Sequence, residues 1–226
     1  MKFYDLAGHD REFSFSFNPW KARMCINLKG IGYERIPYRF TEIQRYLPNI
    51  IKPGQECLVP VIEDGDQVIQ SSVKIAEYLD EKYPANPIFQ GNRYLEMVLY
   101  DLFESQVATS VFVLCVLDMF LILDKEDKEY FIRTRTPILG NIETFVSDKA
   151  DEAVLTIEKV FSAVSQGLKR SRFIAGDNIG WSDITLASHL LMLNRLNEEN
   201  FLKVTEEHNY SPEIKRWWKD MQYLVD

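Results

Sequence analysis

Up to about residue 84 the apolar positions recur every second residue in short stretches, and beyond about residue 92 they recur at helical spacing. Lys2-Phe3-Tyr4-Asp5-Leu6 reads as a short strand, and Pro19 to Leu28 as a helix with proline near its first position. Gly30-Ile31-Gly32-Tyr33 closes that helix, and Glu34 to Phe40 gives a second strand. A helix or loop from about Thr41 to Pro53 must then lead to Val59. Val59, Val61 and Ile62 are β-formers, Asp64-Gly65 is a hairpin signal, Val68-Ile69 restart the sheet, and Ile75 to Asp80 is helical. A βαβ opening followed by a hairpin and a helix predicts a four-stranded mixed sheet with helices on both sides.

Pro84, Pro87 and Gly91 mark a linker, which divides the chain into an α/β domain at 1–84 and an all-α domain at 92–226. One long helix is expected from Asn92 to about Leu123, with Leu95, Val98, Leu99, Leu102 and Phe103 at helical spacing. Further helices are expected over Glu126 to Thr134 and Ile138 to Leu168, separated by Pro137 and Gly140, then over Ile184 to Arg195 and Pro212 to Tyr223. Gly180-Trp181-Ser182-Asp183 looks like a helix start, with the Asp183 carboxylate reaching back to the cap N–H in a structural role.

The net charge of −8 argues against a nucleic-acid partner, which needs a basic face to displace counterions. The run Val111 to Leu123 is short for a bilayer and carries Asp118, so a buried helix and no membrane association are expected. The first twenty residues lack an apolar signal core. Cys25, Cys57 and Cys115 have neither CxxC nor metal-ligand spacing, and His9, His189 and His208 show no triad or metal pattern. These features point to a cytoplasmic protein with structural thiols and no metal.

The chemistry concentrates in two places. Pro60 at the head of a strand requires either the first strand position or an unusual peptide geometry, and a cis Val59-Pro60 bond turns the Val59 N–H and C=O outward, towards a ligand. Ser71 and Ser72 offer hydroxyl and backbone donors at a helix N-terminus, a ready anion site. At the other place, Ser16 precedes the helix that Pro19 opens. Its hydroxyl is a donor at a helix terminus whose potential favours an anion. The Asn18 amide is the competing donor, and both residues equally suit plain capping.

The order Val59-Pro60, Asp64-Gly65, Ser71-Ser72 and amphipathic helix resembles the glutathione site of the thioredoxin-like domain in glutathione transferases. Phe15 to Arg23, with Ser16, Asn18, Pro19, Trp20, Lys21 and Arg23, resembles the opening motif of fungal etherase-like (FuA) members and their bacterial β-etherase relatives. Ser72 to Asp80, Glu129 to Arg135 and Lys215 to Met221 are similar to the same group. Three departures stand out: Phe17 where the family has Pro, Ser71 where most members have an acid, and a shortened loop before Val59. Gly180 likewise replaces the usual Ser or Thr cap.

The resemblance implies a thioredoxin-like N-terminal domain plus an all-helical C-terminal domain, with glutathione as co-substrate. It implies thiol activation by Ser16 or Asn18, and glutathione contacts from Trp20, Lys21, Gln55, Leu58, Val59, Pro60, Ser71 and Ser72. Trp20 equally fits core packing. The expected activity is transfer of glutathione to small hydrophobic or aromatic electrophiles. The alternatives are a ligandin-like protein that binds aromatic compounds with little turnover, and glutathione-dependent ether cleavage. An acceptor pocket between the domains is implied, with Tyr100, Phe103, Glu104 and Val107 as contributors, together with a homodimer built on the long helices.

Overall fold

A computed structural model describes residues 1–207 and 211–225, so His208 lies outside the described residues. The chain opens with β1 (Lys2–Leu6), α1 (Phe17–Leu28) and β2 (Glu34–Tyr38). β1 and β2 pair in parallel because α1 carries the chain back across the sheet. α2 (Phe40–Tyr46) and a 3-10 turn (Leu47–Asn49) fill the stretch that the sequence left as helix or loop. β3 (Val61–Asp64) and β4 (Gln67–Gln70) form the hairpin, with Gly65 at φ +63° in its two-residue turn. The sheet order is β2-β1-β3-β4, and α3 (Ser72–Lys82) follows.

The helical part comprises α4 (Arg93–Leu102), α5 (Thr109–Leu121), α6 (Lys125–Leu139), α7 (Ile142–Leu168), α8 (Trp181–Leu196), α9 (Glu198–Leu202) and α10 (Pro212–Met221). A π-helical turn, Phe103–Ala108, joins α4 to α5 without a break. The resulting 29-residue helix is long and apolar enough by composition to cross a bilayer, yet its most apolar window is mostly buried inside the protein. Proline spacing misplaced one boundary. Pro137 sits in the last turn of α6, where little helix follows the hydrogen bond it removes, and the chain turns at Gly140, φ +70°.

The chain forms two compact units. One comprises Met1–Asn86 with Phe120–Ile138, and the other Pro87–Met119 with Leu139–Asp226. The unit around the sheet thus recruits most of α6, which the linker alone did not reveal. In the helical unit, every residue of α8 from Trp181 to Leu193 is buried, so this helix is the core about which the others pack.

The start of α8 explains how Gly180 replaces a hydroxyl cap. A Cβ at Gly180 would stand 2.3 Å from the Ala175 Cβ and 2.5 Å from Glu96 Oε1. Glu96, buried on α4, accepts the Ser182 N–H at 2.7 Å and so supplies the missing cap from another helix. Asp183 completes the arrangement in the structural role expected of it. Its Oδ1 accepts Ile174 N–H and Trp217 Nε1–H, both at 2.7 Å, and its Oδ2 accepts Ala175 and Gly180 N–H, both at 3.1 Å.

Candidate active site

Sheet topology brings the two chemical segments to one end of the first unit. β1 and β2 finish there, whereas β3 starts there, because Val61 pairs antiparallel with Tyr4. β4 returns to the same end, with Gln70 opposite Val61, and delivers Ser71 and the first turn of α3. From the end of β1, the Ala7–Ser14 bridge folds the following loop back and leads directly to Ser16.

Ser16 is the N-cap of α1, in extended conformation, and its hydroxyl makes no cap bond; its carbonyl accepts the Trp20 N–H at 3.2 Å. The hydroxyl is half-buried and, among the described residues, has no protein partner. It therefore stands at the positive end of a twelve-residue helix with a proton to donate. Asn18, in the first turn, is likewise half-buried with no protein partner among the described residues. The structure keeps both candidate donors.

Trp20 and Lys21 are both buried. Trp20 is 1% exposed, its indole N–H donates to the Ser14 carbonyl at 3.1 Å, and the Arg23 guanidinium lies over its ring. Lys21 is fully buried, with its ammonium 5.0 Å from the centre of the Phe17 ring. Both side chains brace the turn from behind instead of facing solvent. Amphipathic spacing alone does not separate a ligand-facing tryptophan from a packed one.

The Val59-Pro60 bond is cis. The β1–β3 ladder begins at Val61, so Val59 lies beyond it with its backbone outside the sheet. The loop ahead is tied from two sides. Gln70 Nε2 donates to the carbonyls of Glu56 and Leu58, each at 2.7 Å, and Gln44 Nε2 donates to that of Cys57 at 3.1 Å. Leu58 is exposed, while Gln55 is occupied within the loop, accepting the Lys52 N–H at 3.0 Å.

Ser71 and Ser72 diverge. Ser71 adopts φ +90°, sparsely populated for a residue with a side chain, and its N–H donates to the Pro60 carbonyl at 3.2 Å. Its backbone donor is thus spent, which corrects the expectation of two donors there, while its side chain remains exposed. Ser72, 5% exposed, opens α3 and brings the orphan N–H groups of a helix start with its hydroxyl. Of the proposed acceptor-pocket residues, Phe103 and Val107 are fully buried core. The Tyr100 ring packs 5.7 Å from that of Trp181, and Glu104 lies 3.0 Å from buried His189. In the first unit, a cavity of about 440 Å³ opens beside the loop that leads to Ser16, lined by Gly8, His9, Phe13, Leu121, Ile122 and neighbouring residues.

Burial pushes the thiols of Cys25 and Cys115 above their usual range, so neither is a nucleophile at neutral pH. Among the described residues no group of His, Cys, Asp or Glu is arranged to hold a metal ion.

A mixed sheet with a cis-proline strand and a helix N-terminus beside it, in a chain that also carries a helical unit, defines a thioredoxin-like fold with a helical domain. Residues 95–222 match the model of the glutathione S-transferase C-terminal domain, and residues 12–87 that of the N-terminal domain. The chain belongs to the glutathione S-transferase family: it is a glutathione transferase, and glutathione is its co-substrate. The glutathione S-transferase-like protein ustS of Aspergillus flavus is 27% identical to it, over 87% of this chain and 80% of that protein. Glutathione S-transferase 1 of Dianthus caryophyllus is 28% identical, over 79% of this chain and 74% of its own length. The fold is similar to that of glutathione transferase GSTFuA3 from Phanerochaete chrysosporium, with TM-score 0.84, 24% identity and coverage of 99% and 96% of the two chains. It is also similar to CsGST63524 of Ceriporiopsis subvermispora, a structure in complex with glutathione, with TM-score 0.81, 23% identity and coverage of 99% and 95%.

Proposed function

We propose that the protein activates glutathione through the Ser16 hydroxyl and transfers it to small hydrophobic or aromatic electrophiles, as a member of the FuA-like group. The observation that carries this reading is the unengaged Ser16 hydroxyl at the N-terminus of α1, on the same sheet end as Val59 and Ser72. An unperturbed thiol titrates at roughly 8.5, so a donor and positive potential at the sulfur are needed to hold a thiolate at neutral pH. Val59 offers its backbone to the peptide part of glutathione, and Ser72 with the α3 terminus takes a carboxylate. The apolar cavity beside the β1–α1 loop suits the acceptor.

Ligandin-like binding remains the second reading, favoured by that cavity and by Ser71 in place of the family's acid. Ether cleavage would use the same thiolate. The free thiols, with Cys25 and Cys115 buried, suit a reducing, cytoplasmic setting. A homodimer is proposed on the exposed apolar stripe Tyr94, Leu95, Val98 and Leu102 of α4, whereas Val111 to Met119 is largely spent on the protein's own core.

The test is a steady-state assay with glutathione and a panel of aromatic electrophiles and aryl ethers, paired with binding of the same compounds. Turnover that is lost in Ser16→Ala supports the transferase reading. Tight binding of the aromatics with negligible turnover replaces it with the ligandin reading.

A further inference from the structure

α2 is a seven-residue helix with a single buried side chain, Ile43, too little to hold its own position. Arg11 holds its Glu42 side chain from the loop after β1, at 2.6 Å through Nη2, and the backbone of its first turn is held from the start of α6. Asp127, fully buried, accepts the Phe40 N–H at 3.2 Å, the Thr41 N–H at 2.9 Å and the Thr41 hydroxyl at 2.8 Å. Asp124 pairs with Arg39 at the same end of α2, and Glu126 accepts Arg45 at 3.1 Å at the other. The Phe40 ring stacks on Tyr130, 6.1 Å between centres. Asp124 also accepts the Asp127 N–H at 2.9 Å, which fixes the carboxylate that does the holding.

α2 also carries exposed Gln44, whose amide donates to the Cys57 carbonyl two residues before Val59. An unbroken series of contacts thus runs from the α6 turn through α2 into the loop that presents Val59. We infer that Asp127 is a positioning residue for glutathione: the α6 turn clamps α2, and α2 sets the Val59 loop through Gln44. The inference rests on the reading of that loop as a glutathione site. Asp127 itself touches only protein, so it acts on affinity and leaves the activating hydroxyl alone.

The experiment compares the wild type, Asp127→Asn, Gln44→Ala and the double variant by glutathione titration, steady-state kinetics and amide hydrogen exchange over residues 55–58. Each single change is expected to weaken glutathione binding and raise its KM by about five- to tenfold, the worth of one hydrogen bond. Turnover at saturating glutathione stays within about twofold, and loop exchange quickens. The double variant is expected to be no weaker than the weaker single, since both act on one series of contacts. Gln44 is exposed, so its variant folds even where Asp127→Asn does not. Multiplying effects, or wild-type affinity and loop exchange in Asp127→Asn despite a lower Tm, overturn the clamp. Should the wild type fail to bind glutathione, the site reading falls, and the exchange arm alone still decides the clamp.

Discussion

Replacing Asp183 with alanine removes the acceptor of four N–H groups at the start of the central helix α8. The Gly180 and Trp217 donors are buried, while those of Ile174 and Ala175 are part-buried and can turn to water. At roughly 2 kcal/mol for each buried orphan and under about 1 kcal/mol for each of the others, the loss is about 5 kcal/mol. That is a large share of the ~5–15 kcal/mol that holds a typical domain. Asp183→Asn keeps one oxygen for two of the donors but turns an amide N–H2 on the rest, so about half the loss is expected.

The titration of Asp183 adds a signature that no other packing defect would imitate. Burial pushes its carboxyl up to about 6, against the downward pull of its four donors. An unfolded aspartate titrates near ~3.9. Between these values the native state binds a proton that the unfolded chain does not. The group therefore contributes stability that is fully present below the unfolded value and is lost as pH rises through about 6. Both variants lack this group, so the wild-type advantage should widen by roughly 2 kcal/mol on going from pH 7.5 to pH 4.5. Urea denaturation followed by tryptophan fluorescence at the two pH values measures it. A gap below about 1 kcal/mol for Asp183→Ala, or one that narrows on acidification, would refute the reasoning.

Other outcomes follow from the same geometry. Ser16→Ala should raise the pKa of bound glutathione by about one to two units, the loss of one donor to a charged acceptor, and Asn18→Ala should do less. Thiolate absorbance titrated in both complexes decides between them, and a shift confined to Asn18→Ala hands the role to the amide. The Arg11 guanidinium, bonded through Nη2 at 2.6 Å, holds the Glu42 carboxyl well down, at about 2, so its stabilisation is present above the unfolded carboxyl range and is lost as pH falls through about 2. Glu42→Gln should flatten the acid limb of a Tm-against-pH curve, and superimposable limbs would count against the ion pair. Leu95→Lys with Val98→Lys should convert a dimer into the 26.5 kDa protomer in sedimentation, and an unaltered dimer would place the interface elsewhere.

How much of this was legible in the sequence depended on whether the determining residues were neighbours in the chain. The hairpin at Asp64-Gly65, the strand headed by Pro60 and the Asp183 cap were readable because each rests on residues a few positions apart. Pro137 misled because a proline's cost depends on how much helix follows it, and only a turn does. Lys21 entered only as a glutathione contact implied by the resemblance, and its complete burial against Phe17 is visible only in the fold. Gly180 shows the limit most clearly. Alone it looks like a weakened cap in a place where the family prefers a hydroxyl. The structure shows that Glu96, more than eighty residues earlier in the chain, occupies the space and accepts the Ser182 N–H. A glycine and a distant glutamate are thus one device: any side chain at Gly180 would strike the carboxylate that replaces it, and alanine in place of Glu96 would leave the Ser182 N–H without its acceptor. Neither residue carries that meaning in the sequence, because the contact joining them exists only after α4 and α8 have packed.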